Sequence, residues 1–316
     1  MLLCAALQLC AALHAQTTFR VPVRLVTAPA LVFSSDGRLV SGLKAADFRL
    51  YDNGRLQKIS AEPATAPISV AVAVQANADV RLYLPFIARV GSTIESLLVG
   101  EAGESALIAY HTEIATLKPF ASGDFQKALR TLAIGGPRAR SIDAGMRAIA
   151  MLRERPPSQS RVLLLIGQPM DDGSESKLDA LQEAAEQANV MVCALALPEV
   201  GKAFVSDNFT LRGPEEGEHG GFKAGVDLLK LVTVLERADA SAAGGDPFHA
   251  LAAATAGSVF RFRKQNELEG ALAAIGVQLR SGYLLSYYVT GEEPGRHTIR
   301  VEVDVPGAKV RTRPGW

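Results

Sequence analysis

Cysteine is nearly missing from this sequence. Of three in 316 residues, Cys4 and Cys10 lie in an apolar leader expected to be removed, which leaves Cys193 inside the run VMVCALAL. One remaining thiol excludes an intramolecular disulfide, and among Val and Ala it reads as a small core hydrophobe with no activating charge beside it. Net charge is missing too. Lys+Arg and Asp+Glu each total 33, so no global field draws the chain to nucleic acid or anionic lipid. Beyond the leader no apolar run is long enough to span about 30 Å of hydrocarbon, so no transmembrane segment is expected in the mature chain. GxSxG, HExxH, paired CxxC, Walker A and GxGxxG motifs are all lacking, so no local pattern points to an enzyme or to a cofactor.

What is there is a globular composition, 48% apolar and 21% charged, enough for one large domain with a smaller one. Residues 1–15, MLLCAALQLCAALHA, carry no acid and end in Ala15 before Gln16-Thr17-Thr18. This reads as a secretory signal cleaved near Ala15, and places the mature chain in the periplasm or outside the cell.

Residues 16–66 carry short extended runs, FRVPVRLV, PALVF, DFRLY and QKIS, with hairpin signals at Asp36-Gly37 and Asn53-Gly54. The stretch predicts a small antiparallel β unit ending at the linker AEPATAP. From there to residue 281 the pattern changes. ISVAVAV, RVLLLIG and VMVCALAL are continuous apolar runs of the kind buried on both faces of a parallel sheet. Helical patterns lie between and after them, at Val80–Leu98, Phe125–Leu132, Ile142–Arg153, Lys177–Asn189 and Leu268–Arg280. Strand alternating with helix predicts a doubly wound, Rossmann-like α/β domain over 67–281. SALIAYH and EIATLKPF predict an edge hairpin about Thr112. Residues 198–247 read as a polar, Gly-rich insertion with one helix over Phe222–Arg237. GYLLSYYVT, RHTIRVEVDV and KVRTRPGW, within 282–316, read as strands expected to join those of 16–66 in one β-sandwich.

The succession VFSSDGRLVSGLKAADFRLYDNGRLQKI, ISVAVAV, ESALIAYHTEIATLKPF, RVLLLIGQPMDDGS, LAAATAGSVFRF, LRSGYLLSYY and VRTRPGW resembles the von Willebrand factor A related domain of acidobacterial secreted proteins. The resemblance spans essentially the mature chain. It implies a metal-ion-dependent adhesion site at the strand ends: a DxSxS loop after the first strand, a Thr from a second loop, and an Asp after a central strand. Such a site suits a hard cation such as Mg²⁺, which takes oxygen ligands and keeps a position for a partner's carboxylate.

The matching positions here are Gln75, Asn77 and Asp79 in the first loop, Gly135-Gly136-Pro137 followed by Arg138, Ala139, Arg140 and Ser141 in the second, and Gln168 in the third. Both expected carboxylates are neutral amides, and two arginines stand near the Thr position. Amide oxygens substitute poorly for carboxylate, and nearby cations raise the cost of bringing another. The resemblance therefore implies a degenerate metal site. A shifted site drawing on Asp79, Asn77, Asp171 and Asp172 is the alternative. Against it, Asp79 reads as a cap on a helix starting at Val80, and Asp171-Asp172-Gly173 as a turn before a helix capped by Ser174 or Ser176.

Glu215, Glu216, Glu218 and His219 read as a solvated charge run, and the Asn208-Phe209-Thr210 sequon is given no role. His111, His249 and His297 stand beside no nucleophile motif and read as structural. The function expected is a non-catalytic, exported protein-binding or scaffolding module, without cofactor, whose partner is a protein of the envelope or exterior. Arg138, Arg140 and Ser141 are the candidate partner-binding residues, with the insertion as a second surface. A metal-dependent adhesion module with a shifted site and an envelope hydrolase are the alternatives.

Overall fold

The computed structural model describes residues 23–120, 124–198, 246–262, 265–290 and 295–316. The leader and most of the 198–247 insertion, including its expected helix, lie outside the described residues. The chain enters as β1 (Val23–Phe33), whose positions Val26, Ala28, Ala30 and Val32 are buried. The period of two over residues 26–30 follows from pleating, and marks a strand with one face on a core. β2 (Phe48–Asp52) and β3 (Arg55–Leu56) follow, joined by Asn53-Gly54, both at positive φ (47° and 78°) as a two-residue hairpin turn demands. β4 is Ser60–Pro63, slightly beyond the expected QKIS.

β5 (Ile68–Gln75) is buried at all eight positions. Its Val70, Val72 and Val74 face one apolar core, and Ala71 and Ala73 face the other. The expected single helix over 80–98 is broken instead into a 3-10 turn Ala78–Val80, α1 (Leu84–Ile87), α2 (Gly91–Ile94) and a π turn Glu95–Val99. Pro85 starts the second piece, and Gly91 has no room for a Cβ, which would lie 2.3 Å from Gln126 Oε1. β6 (Glu104–Tyr110) and β7 (Ile114–Lys118) form the edge hairpin, α3 is Phe125–Leu129, and α4 is Ser141–Arg153. β8 (Ser160–Gly167), α5 (Leu178–Gln187), β9 (Val190–Ala196), α6 (Pro247–Thr255), β10 (Val259–Arg261) and α7 (Gln265–Arg280) complete the alternation.

The six strands lie in the order β10-β9-β8-β5-β6-β7, parallel except for the edge strand β7. Helices cover both faces, which makes this a doubly wound α/β sheet. After β5 the chain moves outward to β6 and β7, then returns to lay β8 on the other side of β5. Loops leaving neighbouring β5 and β8 therefore diverge, and open a crevice at their carboxyl ends.

β11 (Tyr283–Thr290), β12 (Ile299–Val303) and β13 (Lys309–Thr312) close the chain. They pair with the opening strands in two small sheets, β13-β1-β11-β4 and β12-β2-β3. Phe48 and Leu50 of one sheet share a core with Val26, Ala28, Tyr283 and Leu285 of the other, and the Phe48 and Tyr283 rings meet edge to face at 5.1 Å. Neither end of the chain supplies a complete sheet alone. No helix among the described residues is long and apolar enough to cross a membrane.

Candidate functional site

Gln75 is the last residue of β5, and Gln168 follows the last residue of β8. Both therefore stand at the crevice where doubly wound sheets bind ligands. Both are buried, as is Asn77. A buried amide must find partners for two donor hydrogens and a carbonyl oxygen, and Gln75 and Asn77 find all of theirs.

The backbone N–H of Gln168 donates to Gln75 Oε1 at 2.7 Å, which fixes the orientation of the Gln75 amide. Its Nε2 then donates to Asn77 Oδ1 at 3.0 Å and to Gln168 Oε1 at 3.3 Å. Asn77 Nδ2 in turn donates to Asp79 Oδ2 at 3.0 Å and to the carbonyl of Pro137 at 2.9 Å. Three loops are thus laced together by neutral groups. Where two side-chain oxygens converge, the positive end of the Gln75 N–H dipoles already stands between them. This donor set does not fit Mg²⁺, which needs oxygens turned inward and carboxylate charge to offset dehydration.

The carboxylates nearby are engaged separately. Asp79 is exposed and holds Asn77; it does not cap the following turn, whose first position is Asn77 with no side-chain cap bond. Asp171 accepts from the Ile142 backbone N–H (2.9 Å), Ser141 Oγ (3.1 Å) and Ser174 Oγ (2.7 Å), so it caps α4 from across the crevice. Asp172 pairs with Arg138 at 2.9 Å, both about half exposed. Among the described residues no group of three or more His, Cys, Asp or Glu is placed to hold a metal ion. Nor do Ser174 and Ser176 cap α5, which begins after Lys177 without a side-chain cap. Ser174 Oγ accepts instead from the N–H of Asp143 on α4.

Arg140 and Ser141 are positioning residues in this structure. The Arg140 guanidinium donates twice to Asp143 (3.0 and 2.6 Å), once to the Thr112 carbonyl and once to Glu175. Ser141 is buried, and its hydroxyl is spent on Met170 O and Asp171. Only Arg138 of the three candidates is displayed, because its one ion pair is at the surface. Burial alone would raise the Asp143 carboxyl, but hydrogen bonds from Ser176, from the backbone N–H groups of Glu175 and Ser176, and from Arg140 outweigh it and bring the pKa to about 2.

A carboxyl depressed in the folded state contributes stability above its unfolded value, and loses it as pH falls through the folded one. The advantage of wild type over Asp143→Asn is therefore expected to be about 2 kcal/mol at neutral pH. It should shrink as pH drops from about 4 towards 2, as urea unfolding across that range measures. A difference that stays constant with pH contradicts the assignment.

His111, His249 and His297 sit in structural settings. His111 Nδ1 accepts from the N–H groups of Glu113 and Gly136, and a Cβ on Gly135 would lie 2.2 Å from its ring. His249 meets Asp246 at 2.7 Å at the start of α6; His297 meets Asp52 at 2.8 Å and stacks on Trp316. Tyr110, beside Gln75 at the end of β6, went unnoticed in the sequence. It is fully buried, its hydroxyl has no hydrogen-bond partner among the described residues, and desolvation with the Asp171 charge pushes its ionisation well above the ordinary range. Around this network the loops display Leu82, Ile134 and Met170, each between 37% and 42% exposed. They are the exposed large hydrophobics of the α/β unit among the described residues.

No protein-family model matches the chain, and no curated protein matches its sequence. Among solved structures it is similar to a von Willebrand factor type A protein from Catenulispora acidiphila, at 9% identity and a TM-score of 0.47 over 93% of this chain and 73% of that one. It is also similar to BatB, a conserved hypothetical protein from Bacteroides thetaiotaomicron, at 14% identity and a TM-score of 0.42 over 67% of this chain and 98% of that one. A third is an aerotolerance-related membrane protein from Bacteroides fragilis, at 14% identity and a TM-score of 0.42 over 66% and 98%. The reading of the crevice rests on its own residues.

Proposed function

We propose that this chain is an exported, non-catalytic protein-binding module of von Willebrand A type, in which a neutral amide lock replaces the metal site. The observation behind the reading is the closed set of hydrogen bonds among Gln75, Asn77 and Gln168. A cation between carboxylates ties loops together and reaches out to a partner's carboxylate; the amides of Gln75 and Asn77 tie the loops and spend their hydrogens within them. Binding on this face then falls to displayed side chains, Met170, Ile134 and Leu82 as apolar anchors and Arg138 as the charged one. A surface ion pair such as Arg138–Asp172 contributes at most about 1 kcal/mol, so a partner's carboxylate can displace it.

The test is capture of partners from the protein's own envelope fraction by the mature chain, with EDTA and with Mg²⁺, followed by affinity measurement on the captured protein. EDTA should leave affinity unchanged, and Arg138→Glu/Met170→Glu should weaken it by about tenfold or more while the fold persists by circular dichroism. Loss of binding in EDTA, or turnover of an envelope substrate by the purified protein, contradicts the reading.

A further inference from the structure

β1 is longer than one of its neighbours. β11 pairs with Val23–Ala30, but on the opposite edge β13 pairs only with Ala30–Phe33. Among the described residues the edge from Val23 to Pro29 has no ladder partner. Thr27 shows which way it faces: its carbonyl accepts from Arg313 and its hydroxyl from Asn189 Nδ2. Backbone groups alternate in direction along a strand, so the N–H and C=O of Val23 and Leu25 point the same way, away from β11. The side chains there are apolar and open to solvent. Val23 and Leu25 are 59% and 53% exposed, and Tyr288, directly opposite Leu25, is 68% exposed.

This edge is one wall of a groove of about 1330 Å³, and the carboxyl end of α5 is the other. Arg24, Arg153, Arg161, Arg296 and Arg313 line it, against Asp179, Glu183 and Glu186. Among the described residues only Arg296 of the five is joined to a carboxylate, Glu186 at 2.6 Å. Arg153, Arg161 and Arg313 donate to the carbonyls of Ala184, Ala188 and Glu186, and Arg24 lies over the Trp316 ring at 4.6 Å. Carbonyls satisfy donors without cancelling formal charge, and the partial negative end of α5 offsets only about half a charge. The groove keeps a positive surplus beside an unpaired strand edge that displays Val23 and Leu25.

We infer that the groove takes an extended, acidic peptide segment of a partner protein, which adds as a strand to β1 along Val23 and Leu25. Main-chain hydrogen bonds to that edge supply affinity, apolar side chains of the peptide cover Leu25 and Tyr288, and its carboxylates meet the guanidinium groups. Unpaired strand edges invite such pairing, and the arginines along this one favour an acidic strand over a second neutral or basic one. The site lies at the amino ends of the sheet strands, apart from the β5–β8 crevice, so it stands or falls independently of the amide lock.

Fluorescence polarisation with the mature chain and a peptide of about eight alternating Glu and Val residues tests it. The Glu–Val peptide is expected to bind, less tightly as salt rises, and the matching Lys–Val peptide to bind about tenfold more weakly or worse. N-methylation of alternate peptide nitrogens, which removes main-chain donors without touching the protein, should cost about tenfold, as should Arg24→Glu/Arg296→Glu. Equal affinity for the two peptides, indifference to N-methylation, or no binding of the Glu–Val peptide overturns the inference. So does self-association of the wild-type chain that Leu25→Lys abolishes, because a second copy would then occupy the edge.

Discussion

Changing Gln75 and Gln168 together to aspartate is expected to destabilise the protein by about 3–5 kcal/mol in EDTA, and Mg²⁺ at millimolar concentration is expected to return part of that loss. Gln75 gives two hydrogens and accepts one; a carboxylate gives none. Asn77 Oδ1 would lose its donor and face negative charge, and two carboxylates would stand across a buried crevice, where they cannot both ionise cheaply. A divalent cation supplies the missing positive charge, so stability is expected to become metal-dependent where the amide lock predicts that the wild type's is not. Rescue should be incomplete, because Pro137–Arg140 brings no hydroxyl and Arg138 and Arg140 add positive charge nearby. Urea unfolding with EDTA and with Mg²⁺ decides it: a double variant as stable as wild type without metal shows that the amides lock nothing.

The second large effect is expected at Gly167. A Cβ there would come 2.2 Å from Tyr110 Oη and 2.8 Å from Gln75 Oε1. Overfilling a packed interior costs about 1–3 kcal/mol, and Gly167→Ala should fall in the upper half of that range because the residues it meets are fully buried. Tyr110→Phe by contrast should be neutral or mildly stabilising, since it removes a buried hydroxyl without a partner. In combination the two should couple: Gly167→Ala should cost about 1 kcal/mol less when the hydroxyl is gone. Strict additivity in a double-mutant cycle shows that the hydroxyl and the glycine do not share this space.

The sequence pattern carried much of this architecture, for physical reasons visible in particular residues. ISVAVAV and RVLLLIG read as buried parallel strands because continuous apolar runs have few other uses, and their last positions located Gln75 and Gln168 at the crevice. The break of the 80–98 helix was legible only in part: Pro85 interrupts the pattern, but the need for Gly91 comes from Gln126 on a different helix. Asp171 read as a turn residue; its role in capping α4 depends on a loop 29 residues away along the chain. Arg140 read as a displayed charge for the same reason, since Thr112 and Glu175 reach it only once the loops meet. The closure of the amide network was hidden as well. The resemblance implies that Gln75 and Gln168 stand where carboxylates are expected, but only geometry says that every hydrogen on Gln75 Nε2 is used.

The central claim is tested most directly by titrating the purified wild-type chain from Gln16 onward with Mg²⁺ and Mn²⁺ in a calorimeter. The amide lock predicts no saturable heat at micromolar metal; stoichiometric micromolar binding that Asp79→Ala abolishes would contradict it, and would show that Asp79 anchors a living metal site beside the amides.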